Sequence, residues 1–214
     1  MHKDDDFFEK IDISGLVEEQ LDQQLNQRLC QEEQTGQTWP RPFENTYWVK
    51  PGLFLAGCYP GAPCPTLIEK RLSALLDAGV RTIISLMEDG ETYSDGRPFV
   101  RYEKDFYAKA AERQLSVVWH NCAVPDFGLP PPEKMRDILN RLKAAMQEEE
   151  AVYLHCWGGK GRTGTVVGCW LAENGETEPL AKLSYLRRVC ANANEASPET
   201  PEQCRMVKMW SGSK

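Results

Sequence analysis

A chain of 214 residues with 41% hydrophobic content can bury one sizeable core, and single domains of this size are ordinary. Its 25 Lys and Arg against 32 Asp and Glu give a net charge of −7, the reverse of the balance that a nucleic-acid binder carries. The opening MHKDDDFFEKIDISGLVEEQ is acidic rather than basic-then-apolar and nothing approaches an 18-residue apolar run, so neither a secretory signal nor membrane insertion is expected, and the chain reads as soluble and cytoplasmic.

Residues 1–36 are rich in Gln, Glu and Asp, with Leu16, Val17, Leu21, Leu25 and Leu29 on one helical stripe. They read as a polar extension, helical or partly disordered, whose stripe either binds a partner or packs on its own domain. Residues 37–212 read as one catalytic domain, entered through TGQTWPRPFENTYW. Two short strands around 47–49 and 53–55, split by Pro51-Gly52, suggest a hairpin. Residues 65–78 form an amphipathic helix with Leu67, Ile68, Leu72, Leu75 and Leu76 on one face and Gly79 as its stop. A strand over 82–87, a helix over 103–113, a strand over 115–121, a helix over 131–147 and a strand over 151–154 follow. That alternation implies an α/β fold: a mainly parallel central sheet of about four to five strands, flanked by helices, with sites at the carboxyl ends of the strands.

The stretch VYLHCWGGKGRTGT, residues 152–165, joins the last of these strands to a mostly apolar helix over 163–173. Backbone N–H groups of such a turn converge on an anion, and a helix N-terminus adds roughly half a positive charge. Gly158, Gly159 and Gly161 keep that approach free of Cβ atoms. Arg162 adds a forked cation suited to two phosphate oxygens. Cys156 inside this ring is expected to be a thiolate, since positive neighbours and helix N-termini lower a thiol pKa from about 8.5 to between roughly 3.5 and 7.5.

Two rival readings fail on particulars. Residues 159–164 satisfy G-x-G-x-x-G, but a dinucleotide site wants a second strand ending in an acid about 20 residues on, where GETEPLAK instead opens another helix. A Walker phosphate loop fails because Lys160 precedes Gly161 rather than Ser or Thr. The plain alternative is an inert buried Cys before a glycine turn.

Residues 155–164, His-Cys-Trp-Gly-Gly-Lys-Gly-Arg-Thr-Gly, resemble the active-site motif of the cysteine-dependent protein-tyrosine and dual-specificity phosphatases. The likeness runs over roughly residues 45–210, strongest at the motif. It implies a protein-tyrosine-phosphatase-like fold in which Cys156 attacks phosphorus and Arg162 holds the phosphoryl oxygens. It also implies that Thr163 assists release of the thiolate and that His155 orients the loop. Substrate-binding positions are then Trp157, Gly158, Gly159, Lys160, Gly161 and Arg162. An acid must protonate the leaving oxygen, and Asp126 in VPDFGLPPP, 30 residues before Cys156 and directly after a strand, resembles the family's general acid. Gly128 is placed to let its loop close. A Pro-Asp turn is the structural reading of the same residue, and Asp95, in the loop 88–97, is the competing candidate. Gln203, in SPETPEQCRMV, resembles the glutamine that some members use to aim a hydrolytic water; an exposed helix Gln is its alternative.

The reaction so implied is hydrolysis of phosphomonoesters on proteins, phosphotyrosine and also phosphoserine or phosphothreonine, through a phosphocysteine. The implied partner is a phosphorylated protein or peptide, with no nucleic acid and no cofactor. Lys160 adds a cation suited to a substrate with several phosphates, so inositol phosphates or phosphoinositides are the second reading. A phosphopeptide-binding module without turnover is the reading from another class. Eight cysteines without a signal are expected to remain reduced, and with no C-x-x-C and only three His no metal site is expected. Cys122 and Cys169 are candidates for a thiol near the cradle that resolves oxidised Cys156.

Overall fold

The computed structural model describes residues 39–210. The extension expected at 1–36 lies outside them, as do 37–38 and 211–212 at the edges of the expected domain. Among the described residues the strands are β1 (Thr46–Lys50), β2 (Phe54–Gly57), β3 (Val80–Ser85), β4 (Val118–Asn121) and β5 (Ala151–His155). The helices are α1 (Pro65–Asp77), α2 (Glu103–Glu112), α3 (Pro132–Gln147), α4 (Gly161–Glu173), α5 (Pro179–Arg187) and α6 (Pro201–Met209). The strands form one sheet in the order β1-β2-β5-β3-β4, parallel except for the β1–β2 hairpin. Pro51 and Gly52 turn that hairpin, with Gly52 at φ 72° and Leu53 N donating to Lys50 O at 3.1 Å; fixed φ followed by positive φ is what a type II turn requires.

Period-two alternation sorts the strand side chains between two cores. Val152 and Leu154 of β5 join Phe54, Ala56 and Ile84 beneath α3 to α6, where Ile138, Val167 and Val207 close over them. Ala151 and Tyr153 join Leu55 and Ile83 beneath α1 and α2, against Leu72, Leu75 and Phe106. Since β5 is central and covered on both faces, all five of its residues are buried. Each fully buried Leu, Ile or Phe contributes roughly 1.5–3 kcal/mol, so both helical layers are needed to hold the sheet.

Several expected elements are corrected in detail. β3 runs from Val80 to Ser85 rather than 82–87, and β4 is only Val118–Asn121, because its pairing with β3 begins at Thr82 opposite Val118. Leu115 and Val117 pack on the core outside the ladder. Leu67, expected on the buried face of α1, is 38% exposed and lines a surface cleft. Because β2, β3, β4 and β5 are parallel, the segments after Gly57, Ser85, Asn121 and His155 all leave one edge of the sheet. The cleft lies at that edge.

Candidate active site

The turn from Cys156 to Arg162 is held from outside by its carbonyls. The Cys156 carbonyl accepts from His155 Nδ1 at 3.1 Å, that of Trp157 from Tyr59 N at 2.9 Å, that of Gly158 from Asn192 Nδ2 at 3.3 Å, and that of Lys160 from Ser197 Oγ at 2.9 Å. In a trans peptide the following N–H points the opposite way, so the N–H groups of Trp157, Gly158, Gly159 and Gly161 are turned inward. Gly159 has φ 72°, and a Cβ there would stand 2.5 Å from Gly57 C and 2.7 Å from Cys58 N. The cradle is pressed that closely onto the end of β2, which no residue with a side chain permits. Cys156 sits at its base, 3% exposed.

Arg162, 2% exposed, is gripped by two carboxylates. Glu91 takes it bidentately, Nη1 to Oε1 at 2.5 Å and Nη2 to Oε2 at 3.0 Å, while Asp126 Oδ1 lies 3.0 Å from Nη2. Its Nη1 also donates to Val124 O at 3.1 Å. Burial opposes the Arg162 charge, but Glu91, Cys156 and Asp126 raise its pKa above the ordinary value. Pairing with Glu91 uses the Nη1–Nη2 edge and leaves Nε on the other. Asp126 belongs to the turn Pro125 to Gly128, closed by Gly128 N to Pro125 O at 2.8 Å, with Phe127 at φ 56°. A Cβ on Gly128 would stand 2.9 Å from Pro125 O, so Gly128 serves the tightness of the turn. Asp95, the competing acid, pairs with Arg97 at 2.7 Å on the exposed loop and is not among the residues lining the cleft.

His155 is buried and neutral. Burial pushes its pKa down to about 4, against the raising bond to the Cys156 backbone and with Arg162 adding to the lowering. Its neighbours fix the tautomer: Trp119 Nε1 donates to Tyr102 Oη at 3.3 Å, Tyr102 Oη donates to Nε2 at 2.5 Å, and Nδ1–H is left for the Cys156 carbonyl.

Other expected residues have particular places. Lys160 is in ion pairs with Glu195 and with Glu199, the latter at 3.0 Å, and is therefore not a spare cation over the cradle. Thr163 is fully buried and its Oγ1 has no protein partner among the described residues. Gln203, rather than an exposed helix residue, is fully buried; it completes a capping box with Thr200, and its Nε2 donates to Gly128 O at 3.1 Å. Cys122 and Cys169 are buried in the same core cluster as Cys156 and do not line the cleft, whereas Cys58 lines it together with Cys156. Burial pushes the Cys58 thiol up to about 11 despite Arg71.

The cleft above the cradle has a volume of about 490 Å³, with Tyr59, Tyr93, Phe127 and Trp157 among its walls. Sequence reasoning missed Glu91, Glu195, Glu199, Tyr102 and Asn192. The loop 88–97 was singled out for Asp95, but nothing local distinguishes Glu91 from its acidic neighbours; only its meeting with Arg162, 71 residues away, does. No described helix is long and apolar enough to cross a membrane.

Comparison with known proteins follows the same outline. A mouse protein tyrosine phosphatase domain-containing protein 1 is 30% identical over 111 residues, 51% of this chain but only 15% of the mouse protein. The crystal structure of Tk-PTP in its active form shares the fold at a TM-score of 0.56 and 23% identity, covering 80% of this chain and 96% of that one. That of PTPMT1 in complex with PI(5)P does so at 0.56 and 18%, covering 78% and 94%. A family model described as the Swiss Army Knife protein, DSP-PTPase phosphatase domain (PTP-SAK), matches residues 44–208. That match takes in every strand and all but the last residue of α6, and on it the chain belongs to the PTP-SAK family of dual-specificity-type phosphatase domains.

Proposed function

We propose that this phosphatase domain hydrolyses phosphomonoesters on proteins, phosphotyrosine first and phosphoserine or phosphothreonine with it, through a phosphocysteine and without a metal. Cys156 Sγ attacks phosphorus as the P–O bond to the leaving group breaks, and Asp126 gives its proton to the departing oxygen. The inward N–H groups and the Nε edge of Arg162 hold the equatorial oxygens. Water then attacks the phosphocysteine and gives its proton to Asp126; phosphate leaves, and the Thr163 hydroxyl, which has no other protein partner among the described residues, donates to the departing sulfur.

The observation that carries the substrate class is the cleft lining. Four aromatic rings suit an aryl ester, and Lys160, the cation that would favour several phosphates, is already held by Glu195 and Glu199. The test is a panel of phosphotyrosine, phosphoserine and phosphothreonine peptides, inositol phosphates and phosphoinositides, with para-nitrophenyl phosphate as the measure of bare turnover. Phosphotyrosine peptides are expected to give the highest kcat/KM. Cys156→Ser should abolish turnover yet still bind vanadate, and chelators should change nothing. A preference for inositol phosphates overturns the substrate class; metal-dependent turnover or an active serine variant overturns the mechanism.

A further inference from the structure

The Gln203 side chain touches three segments that meet only in the folded chain. Its Oε1 accepts from Glu199 N at 3.0 Å and Thr200 N at 3.2 Å, its backbone N–H donates to Thr200 Oγ1 at 3.1 Å, and its Nε2 donates to Gly128 O at 3.1 Å. The amide orientation follows from the partners, since the opposite one would set N–H against N–H twice and carbonyl against carbonyl once. A Cβ on Gly161 would stand 3.3 Å from both amide atoms, so the same group lies against the first residue of α4 in the cradle. The cap of α6, the cradle and the Asp126 turn thus share one buried amide.

We propose that Gln203 is a positioning residue for the general-acid turn: its Nε2–H holds the Gly128 carbonyl and so keeps Asp126 over the cradle. The turn has few other ties. On its N-terminal side Val124 N donates to Leu86 O at 2.9 Å and Val124 O accepts from Arg162; within it, Gly128 N closes back on Pro125 O, and Asp126 Oδ1 accepts from Phe127 N at 3.1 Å and lies 3.0 Å from Arg162 Nη2. Gln203 supplies the hold on the C-terminal side, beyond Phe127, whose ring is exposed and whose φ of 56° is unfavourable for a residue with a side chain. Loss of that hold lets the acid drift from the leaving oxygen and loosens its ion pair with Arg162, while Cys156 stays in place and Glu91 still holds Arg162. An error of about 1 Å in such a group is worth on the order of a hundredfold in rate. This inference rests on Asp126 being the general acid.

The role differs from aiming water in the step that it affects. kcat/KM reports events up to formation of the phosphocysteine, and only a displaced acid makes its loss depend on the leaving group. The experiment measures kcat/KM of the full chain on a phosphotyrosine peptide and on difluoromethylumbelliferyl phosphate, whose leaving group scarcely needs a proton. Gln203→Glu keeps an acceptor for Glu199 N and Thr200 N but no donor for Gly128 O when ionised; Gln203→Met removes the donor without adding charge. Each variant is expected to lose roughly 10- to 100-fold on the peptide and under about threefold on the activated ester. The ratio of the two rates is taken within one preparation, so incomplete folding cancels.

Thr200→Ala, which weakens the cap alone, should lower the melting temperature and leave the ratio unchanged. Asp126→Asn should show a larger ratio, and adding either Gln203 substitution to it should change the ratio no further. Equal losses on both esters, or a lower kcat at constant kcat/KM with accumulating phosphocysteine, overturn the positioning role. If Asp126→Asn itself loses equally on both, the acid assignment falls and the positioning role with it; if only the Gln203 variants do, the acid assignment stands.

Discussion

Glu91 meets the cradle through Arg162, and it does so from a position in the loop 88–97 that nothing in the local sequence singles out. Changing it to Gln keeps an acceptor for one guanidinium nitrogen and removes the charge that opposes Arg162 in a buried site. Breaking a buried pair costs roughly 3–5 kcal/mol when the remaining charge is orphaned. Here Asp126 stays 3.0 Å from Nη2, so Glu91→Gln is expected to cost about 1–3 kcal/mol in urea unfolding and to weaken vanadate binding about tenfold. Unchanged stability and vanadate affinity would show that the pair does not organise the site. His155 sets a pH dependence of its own. Its folded pKa of about 4 lies below the ordinary 6.5, so between those values the unfolded chain takes a proton that the folded chain refuses. Its contribution to stability is therefore complete above pH ~6.5, declines as pH falls to ~4 and is level below that, a span of about 3 kcal/mol. Urea unfolding of wild type and His155→Asn from pH 7.5 to 4.5 isolates it, because the carboxylates are common to both. The advantage of wild type should shrink through that window; a constant difference would mean that the ring is not buried neutral.

Two glycines at left-handed φ separate what a cradle needs from what a helix end needs. Gly79, past the end of α1, has φ 86° and open space where a Cβ would be, so Gly79→Ala is expected to cost about 1–2 kcal/mol for the dihedral and to leave turnover alone. Gly159→Ala carries the same dihedral cost and also drives a methyl into the backbone of Gly57 and Cys58, so the cradle must shift; kcat/KM should fall by on the order of a hundredfold or more. Comparable activity in the two variants would show that the contact with β2 is not what sets the cradle. These elements also mark how far the sequence could be read. The alternation of strands and helices, the hairpin at Pro51-Gly52 and the cradle itself were legible because each rests on local chemistry: period, turn residues, glycine spacing. Strand ends were misplaced at β3 and β4, since the ladder is bounded by its neighbour and not by hydrophobicity. Lys160 was read as a free cation because its partners Glu195 and Glu199 lie 35 and 39 residues on. Gln203 was picked out, but its contact with Gly128, across 75 residues, carries no sequence signal.

An acidic chain that handles an anionic ester must cancel its own field locally, and the cleft shows how that is arranged. Against a net charge of −7, its lining sets Arg71, Lys160 and Arg162 beside Asp126, Glu195 and Glu199. On the proposed mechanism a substrate with one phosphate would meet the inward N–H groups and Arg162, while a second phosphate near the rim would find Lys160 already paired with Glu195 and Glu199. The prediction is a gain of function. Glu195→Gln with Glu199→Gln frees Lys160, and a cation within about 8 Å of a second phosphate is worth roughly 1–2 kcal/mol at an effective dielectric near 20. The ratio of kcat/KM for an inositol bisphosphate over a phosphotyrosine peptide should therefore rise about tenfold at low salt. Because the group is only partly buried, that gain should fade toward 1 M salt, where the Debye length is about 3 Å. Adding Lys160→Met to the double variant should remove about half of it, since the charge of the Lys160, Glu195 and Glu199 cluster runs from −1 in wild type to +1 in the double variant and 0 in the triple. A gain undiminished by loss of Lys160 would trace the selectivity to another group in the cleft, with Arg71 next to be tested, and no gain at all would mean that the carboxylates at 195 and 199 hold the shape of the rim rather than its charge.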